Sequence, residues 1–438
     1  MRRNIWLLSI GIVLALFFAA CQPISEVATE APPAPTEAGA EPAAQASPTQ
    51  AEAAPTEEAT AEEAATEEAA AAPAELPGVE NGNILIGVVG IMTGDNAQNG
   101  EFVRNGAQLA IDEINAAGGV TPAGMDQSFP IELRVADDQA TPDVGLNAIT
   151  KLVEEDKVFA FMGPDYSGIT FPSLSVAADA GVPQITSSIA AKITQQGYET
   201  IFRGRSNDAT WMAALIDYLV ETEGVENIAL AYTNIELGQS GVEFAQQYMQ
   251  DQYGLEPTIV VSHEFGDRDL SPNATQIMQT NPDAVIDWGT QIEASLLVRE
   301  LRDLGFEGPF GYNAADEIFT DLAQENSIGV IGPQNWVYTK DDEKSQAFTQ
   351  AYIDNYGNPP SPHSVVYYDA VYLYKQAIEE VGLDRQAVLD YLHGLDNYDA
   401  VQGTFRPAEL EGGEMTTATV IIAYEDESLE PTVVRQFE

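Results

Sequence analysis

Residues 159–170 read FAFMGPDYSGIT, and this stretch decides the fold. Val158–Met162 is continuously apolar, with charge before it and Gly163-Pro164 after it. Unbroken apolarity over so few residues predicts a parallel strand covered on both faces. Pro172 then suits the first turn of a helix, where its missing N–H is not needed. Tyr166, Ser167 and Gly168 are thereby placed between the carboxyl end of a strand and the amino end of a helix. In open α/β sheets ligands bind there, where free N–H groups and the positive end of a helix dipole attract an anion.

Outward from this loop, strands and helices alternate. Upstream lie a buried strand, Asn83–Gly90, and a Gly-rich loop, MTGDNAQNG (92–100). A helix follows with Val103, Ala107, Ala110, Ile111 and Ile114 on one face, and Gly118-Gly119 ends it. Strand Ile131–Val135 runs into Asp137-Asp138, a helix spans Val144–Glu155, and strand Val182–Ile185 leads to Thr186-Ser187-Ser188. After Phe202-Arg203-Gly204-Arg205 the alternation restarts, with helix Ala209–Glu221 and strand Ile228–Tyr232. Helix Val242–Tyr253, strands Thr258–Ser262 and Ala284–Trp288, helix Ala294–Leu304 and strand Phe310–Tyr312 follow. Helices at Val365–Val381 and Arg385–Gly394 and hairpin-like strands complete the chain. The pattern predicts an α/β protein with two doubly wound parallel-sheet lobes. Gly87, Gly90 and Gly94 do not form the G-x-G-x-x-G dinucleotide fingerprint.

Composition narrows the function. At 438 residues there is chain for two sizeable cores. A net charge of −51 argues against nucleic acid or an anionic membrane surface as partner. Residues 1–21 carry two arginines, an apolar run and Ala19-Ala20 before Cys21, the layout of a signal peptide. Residues 22–80 reduce to Ala, Glu, Pro and Thr, without Lys or Arg, and predict a disordered, self-repelling tether. Phe18-Ala19-Ala20-Cys21 resembles the bacterial lipobox, which implies lipidation of Cys21. An uncleaved anchor helix is the alternative, and either places the remainder outside the cytoplasm.

From residue 83 onward the chain resembles the leucine/isoleucine/valine-binding protein family, type I periplasmic binding proteins that feed ABC transporters. The resemblance rests on IGVVGIMTG (86–94), NGAQLAIDEINAAGGV (105–120) and VADDQATPD (135–143). It continues through KLVEEDKVFAFMGPDYSG (151–168), AADAGVPQITSS (177–188), LRDLGF (301–306) and YDAVYLYKQAI (368–378). It implies two lobes joined by three crossovers, near Arg205, 336–339 and 400–403. Lobe 1 would comprise 83–205 with 339–400, and lobe 2 206–338 with 401–438.

The resemblance further implies an amino-acid carboxylate held by Ser167 and by the loop 186–190, where Ser188 matches a backbone-contributing position. Gln98 and Asn99, Tyr166 and Gly168, Leu237, Trp288 and Asn313 complete the candidate ligand contacts. Asn99 stands where relatives place an aromatic lid, Ala190 where a threonine is common, and Glu236-Leu237-Gly238 where the second-lobe loop is often aspartate/tyrosine-glycine. Asn313 replaces the carboxylate that pairs with the ligand ammonium, with Asp316 three residues on. Ser167 also reads as a helix cap, Trp288 equally as core, and Asp137-Asp138 as strand-end structure. Asp341-Asp342 reads as a solvated turn.

The implied partners are a small-molecule ligand, amino acid or related amide or carboxylate, and ABC permease subunits. Neither cofactor nor metal is expected, and the membrane is reached only through the lipid anchor. A sensor that reports occupancy to a signalling partner is the alternative use of the fold. A hydrolase is disfavoured, because no G-x-S-x-G elbow occurs and Cys21 is the only cysteine. The histidines His263, His363 and His393 are scattered, and none is expected beside Ser167.

Overall fold

The computed structural model describes residues 76–94 and 96–437. The signal peptide, Cys21 and most of the tether fall outside these residues. The first lobe is built from β1 (Val79–Glu80), β2 (Asn83–Gly90), α1 (Ala97–Ala116), β3 (Ile131–Asp137) and α2 (Pro142–Thr150). It continues with β4 (Ala160–Met162), α3 (Ser167–Ala180), β5 (Gln184–Thr186) and β6 (Ile201–Arg203). Its parallel strands lie in the order β3-β2-β4-β5-β6, with β1 antiparallel beside the start of β2. β1 falls inside the stretch assigned to the tether, because Leu76 and Val79 pack on the first core.

The second lobe comprises α4 (Asp208–Asp217), β7 (Ile228–Thr233), α5 (Glu236–Tyr248), β8 (Val260–His263) and α6 (Ser271–Met278). β9 (Ala284–Trp288), α7 (Gln291–Asp303), β10 (Phe310–Tyr312), α8 (Glu317–Ala323) and β11 (Val330–Gln334) follow. Three helices then return to the first lobe: α9 (Glu343–Tyr356), α10 (Pro362–Val381) and α11 (Arg385–His393). The short pair β12 (Tyr398–Asp399) and β13 (Thr404–Phe405) comes next. The chain closes with β14 (Thr419–Tyr424) and β15 (Pro431–Phe437), antiparallel on the edge of the second sheet beside β11. That sheet runs β15-β14-β11-β10-β9-β7-β8.

Each sheet is covered on both faces, which is why the inner strands β2, β4, β9 and β10 are buried along nearly their whole length. The edge strands β3, β8 and β15 carry exposed and polar residues. In the first lobe Ile84, Ile86 and Val88 face α1 and α10, while Leu85, Val89 and Phe161 face α2 and α3. The α1–α10 contact is so close that a Cβ on Gly106 would lie 2.0 Å from the Ser364 carbonyl oxygen. In the second lobe one face packs Val285, Leu297 and Phe310, and the other Leu215, Ile228 and Trp288.

Two boundaries differ from the sequence pattern. α3 starts at Ser167, so Pro172 lies inside the helix rather than in its first turn. The third passage between lobes is also later than 400–403. Ala400, Phe405 and Met415 bury in the first core, and Arg203 pairs with Glu414, so the chain leaves for the second sheet at 416–418.

Candidate functional site

Both sheets share one winding. In each, the first strand lies between the second and third, so neighbouring helices leave on opposite faces and open a crevice at the strand ends. In the first lobe this switch point lies at the loops after β2 and β4, and in the second at those after β7 and β9. A cavity of about 340 Å³ is lined from the helix that follows β2, through Asn99, and from the loops after β4, β7 and β9. From the first lobe come Asn99, Asp165, Tyr166, Ser167, Gly168, Ile169, Ile189, Arg205 and His363. From the second come Trp211, Ile235, Glu236, Leu237, Phe265, Thr290, Gln291, Tyr312 and Asn313.

The start of α3 lies in the wall of this cavity. The Ser167 and Gly168 N–H groups make no hydrogen bond among the described residues, whereas those of Ile169 and Thr170 donate to the Tyr166 carbonyl. Nothing lies within 4 Å of where a Gly168 Cβ would be, so the backbone is open to the cavity. Ser167 Oγ accepts the Ala190 N–H at 3.2 Å, leaving its own proton to donate. Unengaged donors and a helix dipole end thus lie together at the cavity wall, a setting suited to an anion.

Charge comes from groups distant in sequence. His363 lies at the start of α10, after Ser361 caps the helix through the His363 N–H and Pro362 takes its first position. Its Nδ1 is 2.9 Å from Asp165 Oδ2, and its Nε2 is 3.4 Å from Asp316 Oδ2 at the cap of α8. A ring with a carboxylate at each nitrogen carries both protons. Burial pulls the His363 pKa down, but Asp165 outweighs it and the value is pushed up to about 9. Burial would raise Asp165; His363, then Arg205, reverse this and hold it low. Asn99 stands near that carboxylate and helps hold it down, yet neither of its amide atoms completes a hydrogen bond. Arg205 is only 5% exposed; its Nε donates to the Ser187 carbonyl, and its guanidinium lies 5.1 Å over the Trp211 ring.

Of the sequence-predicted contacts, Asn99, Tyr166, Ser167, Gly168, Leu237 and Asn313 line the cavity. Gln98 is outside it, exposed on the outer face of α1. Ser188 is buried beneath the loop, its hydroxyl bonded to Thr170 and the Pro164 carbonyl, and its own carbonyl held by Arg203. Trp288 is core: a Cβ on Gly241 of α5 would lie 2.2 Å from its Cδ1, so the missing side chain makes room for the ring. Asn313 Oδ1 accepts the Gly289 N–H at 2.7 Å and fixes a loop.

His363 shares the cavity with Ser167, contrary to the expectation that no histidine would. Arg205, Trp211 and Asp165 were also missed; the one local signal was Ser361-Pro362 before His363, a helix start. Asp137 accepts the Met92 and Gln139 N–H groups and the Thr93 hydroxyl, which makes it strand-end structure. Asp342 caps α9 through the Ser345 N–H. No group of three or more His, Cys, Asp or Glu among the described residues could hold a metal ion.

A family model described as periplasmic binding protein matches residues 83–426. An "Amino acid binding protein" of Pseudomonas aeruginosa is 30% identical over 253 residues, 58% of this chain and 64% of that one. The solved branched-chain amino acid transporter substrate binding protein LivJ of Streptococcus pneumoniae, in complex with isoleucine, superposes with a TM-score of 0.72 at 24% identity. That match covers 81% of this chain and 98% of the other. A solute binding protein of an ABC transporter from Rhodopseudomonas palustris, in complex with 3,4-dihydroxy benzoic acid, gives 0.70 at 19%, covering 81% and 97%.

Proposed function

Because the chain belongs to the periplasmic binding protein family, whose leucine/isoleucine/valine-binding members it resembles, we propose that it is the extracytoplasmic solute-binding component of an ABC transporter. Members of this family bind solutes rather than transform them. Here the ligand would be a small carboxylate, amino-acid-like or not, enclosed between the lobes and presented in the closed form to a permease. Tethering through a lipid on Cys21 belongs to the same proposal.

The observation that carries this reading is the pair of unpartnered N–H groups at the start of α3, facing a cavity walled by both lobes. Ser167 and Gly168 would hold the carboxylate, Asn99 and Tyr166 would border it, and Leu237 and Asn313 would close the second side. A ligand that touches both walls favours closure by its differential affinity for the closed form.

Thermal melting of the full chain against a panel of amino acids, amides and short and aromatic carboxylates tests the proposal. A ligand at about a thousand times its dissociation constant adds roughly 4 kcal/mol to stability. At least one carboxylate is expected to raise the melting temperature, and to do so less when Gly168 is replaced by Val. A flat response across the panel would sink the proposal.

A further inference from the structure

Resting on the solute-binding reading above, we infer that the cleft selects a carboxylate that lacks an ammonium group, with Arg205 as its charge partner.

The carboxylates are paired, and the unengaged acceptor of the wall is the neutral Asn99 Oδ1. Asp165 receives the Ser187 hydroxyl and pairs with His363. Asp316 accepts from Gln291 Nε2 at 3.0 Å and from the Phe319 N–H at 3.0 Å, and faces the other nitrogen of His363. Asn313 Oδ1 holds the Gly289 N–H. Glu236, the remaining carboxylate of the wall, is partly exposed and paired with Lys192 at 3.2 Å. An ammonium brings three protons that each need an acceptor; here the neutral Asn99 Oδ1 offers one, and a charged partner would have to be taken from His363 or Lys192.

The donors are open. No carboxylate lies within ion-pair distance of Arg205 among the described residues, and its two Nη atoms make no hydrogen bond there. A guanidinium fork with free Nη atoms matches a carboxylate in two parallel bonds. Trp211, beneath that guanidinium, has an unpartnered Nε1–H, and the Ser167 and Gly168 N–H groups are unengaged. His363 is thus a specificity device: it occupies both aspartates that would otherwise receive an amine. Around these donors the wall is apolar, with Ile189, Leu237, Phe265 and Tyr312 suited to a branched or aromatic body.

Calorimetric titration of the full chain with matched pairs tests the inference. The pairs are L-leucine against 4-methyl-2-oxopentanoate and L-phenylalanine against 3-phenylpropanoate, with benzoate as a further probe. The member without the amine is expected to bind at least tenfold more tightly in one pair or both. Arg205→Gln should weaken that binding about a hundredfold, and His363→Gln, which frees two aspartates, should narrow the gap between the members. The unmodified protein alone decides the selectivity, so a poorly folding variant does not obscure it. An amino acid binding as tightly as its amine-free partner would overturn the inference and leave the solute-binding reading intact. A folded Arg205→Gln protein with unchanged affinity would remove Arg205 from the site. If every probe and every member of the melting panel failed to bind, the solute-binding reading itself would fall.

Discussion

The two lobes wind five parallel strands in the same order, yet they meet the cleft with different chemistry. The second lobe turns its polar atoms on itself: Thr290 N–H donates to Thr233 Oγ1, Gly289 N–H to Asn313, the Tyr312 hydroxyl to the Gly289 carbonyl, and the Thr290 hydroxyl to Glu293. What it shows the cavity is mostly the faces of Trp211, Leu237, Phe265 and Tyr312. The first lobe leaves donors unengaged at α3 and Arg205 and adds the His363 cation. One topology therefore presents an apolar wall on one side and, on the other, the unengaged donors proposed to receive an anion. Ligand choice lies in a few loop residues rather than in the winding.

The contrast breaks most visibly at the supports of the two loops. Arg203 is fully buried beneath the first-lobe loop. Its Nε contacts both oxygens of Glu414 at 3.0 and 3.1 Å, Nη1 donates to the Ser188 carbonyl and Nη2 to that of Ala190 at 2.8 Å. Arg203→Met leaves Glu414 and two buried carbonyls without their partner. Removing one member of a buried pair typically costs about 3–5 kcal/mol, and urea unfolding should show a loss of that size. The corresponding second-lobe support is the neutral Asn313, whose replacement by Ala should cost only about 1–3 kcal/mol. Equal losses would mean that the lobes are supported alike.

The same division explains what could be read in advance. Strands 284–288 and 310–312 are short apolar runs, and they form where their composition places them. β11 went unread because Gly332-Pro333 looks like a turn; Pro333 is tolerated because it falls beyond the last β10 pair, Gly311 with Ile331. α9 is polar over most of its length and is held mainly by Phe348 and Tyr352, two apolar residues four apart. In the site, Asn99, Tyr166 and Ser167 are legible because strand-end loops are local features. His363 and Arg205 are not. Each reaches the cleft through packing between elements far apart in sequence, and no local spacing encodes that.

A pH series sharpens the comparison by isolating the charged lobe. His363 rises from an ordinary value of 6.5 to about 9, as Asp165 overcomes the effect of burial. The folded protein therefore holds this proton more tightly than the unfolded chain. The resulting stabilisation is complete below pH 6.5 and is lost as pH rises through about 9. At 1.36 kcal/mol per pH unit, the difference corresponds to about 3 kcal/mol. Glu317 is pushed up from 4.5 to about 8 by burial and next by Asp316. It lowers stability in the same direction as pH rises from about 4.5 to about 8, which overlaps the His363 window. The informative quantity is therefore the change in slope between the unmodified protein and His363→Gln in denaturant melts from pH 6 to 10. The variant should be less stable at pH 6 and flatter through the window. An unchanged slope would remove the His363 cation from the account.

The smallest expected effect probes the α3 anion site. Ser167 Oγ accepts the Ala190 N–H at 3.2 Å, which ties the two first-lobe loops and aims the hydroxyl proton away from that bond. Ser167→Ala removes a donor to the ligand and leaves the Ala190 N–H unpartnered. For a carboxylate ligand the expected loss of binding is about 1.5–3 kcal/mol, the range for a hydrogen bond to a charged group. Ser167→Gly, measured beside it, gives the same loss if the hydroxyl is what matters. A change confined to melting temperature, with calorimetric affinity untouched, would make Ser167 a loop tie only. The carboxylate would then rest on the Ser167 and Gly168 N–H groups and Arg205, and the receptor character of the first lobe would lie in its backbone and its cation rather than in its hydroxyl.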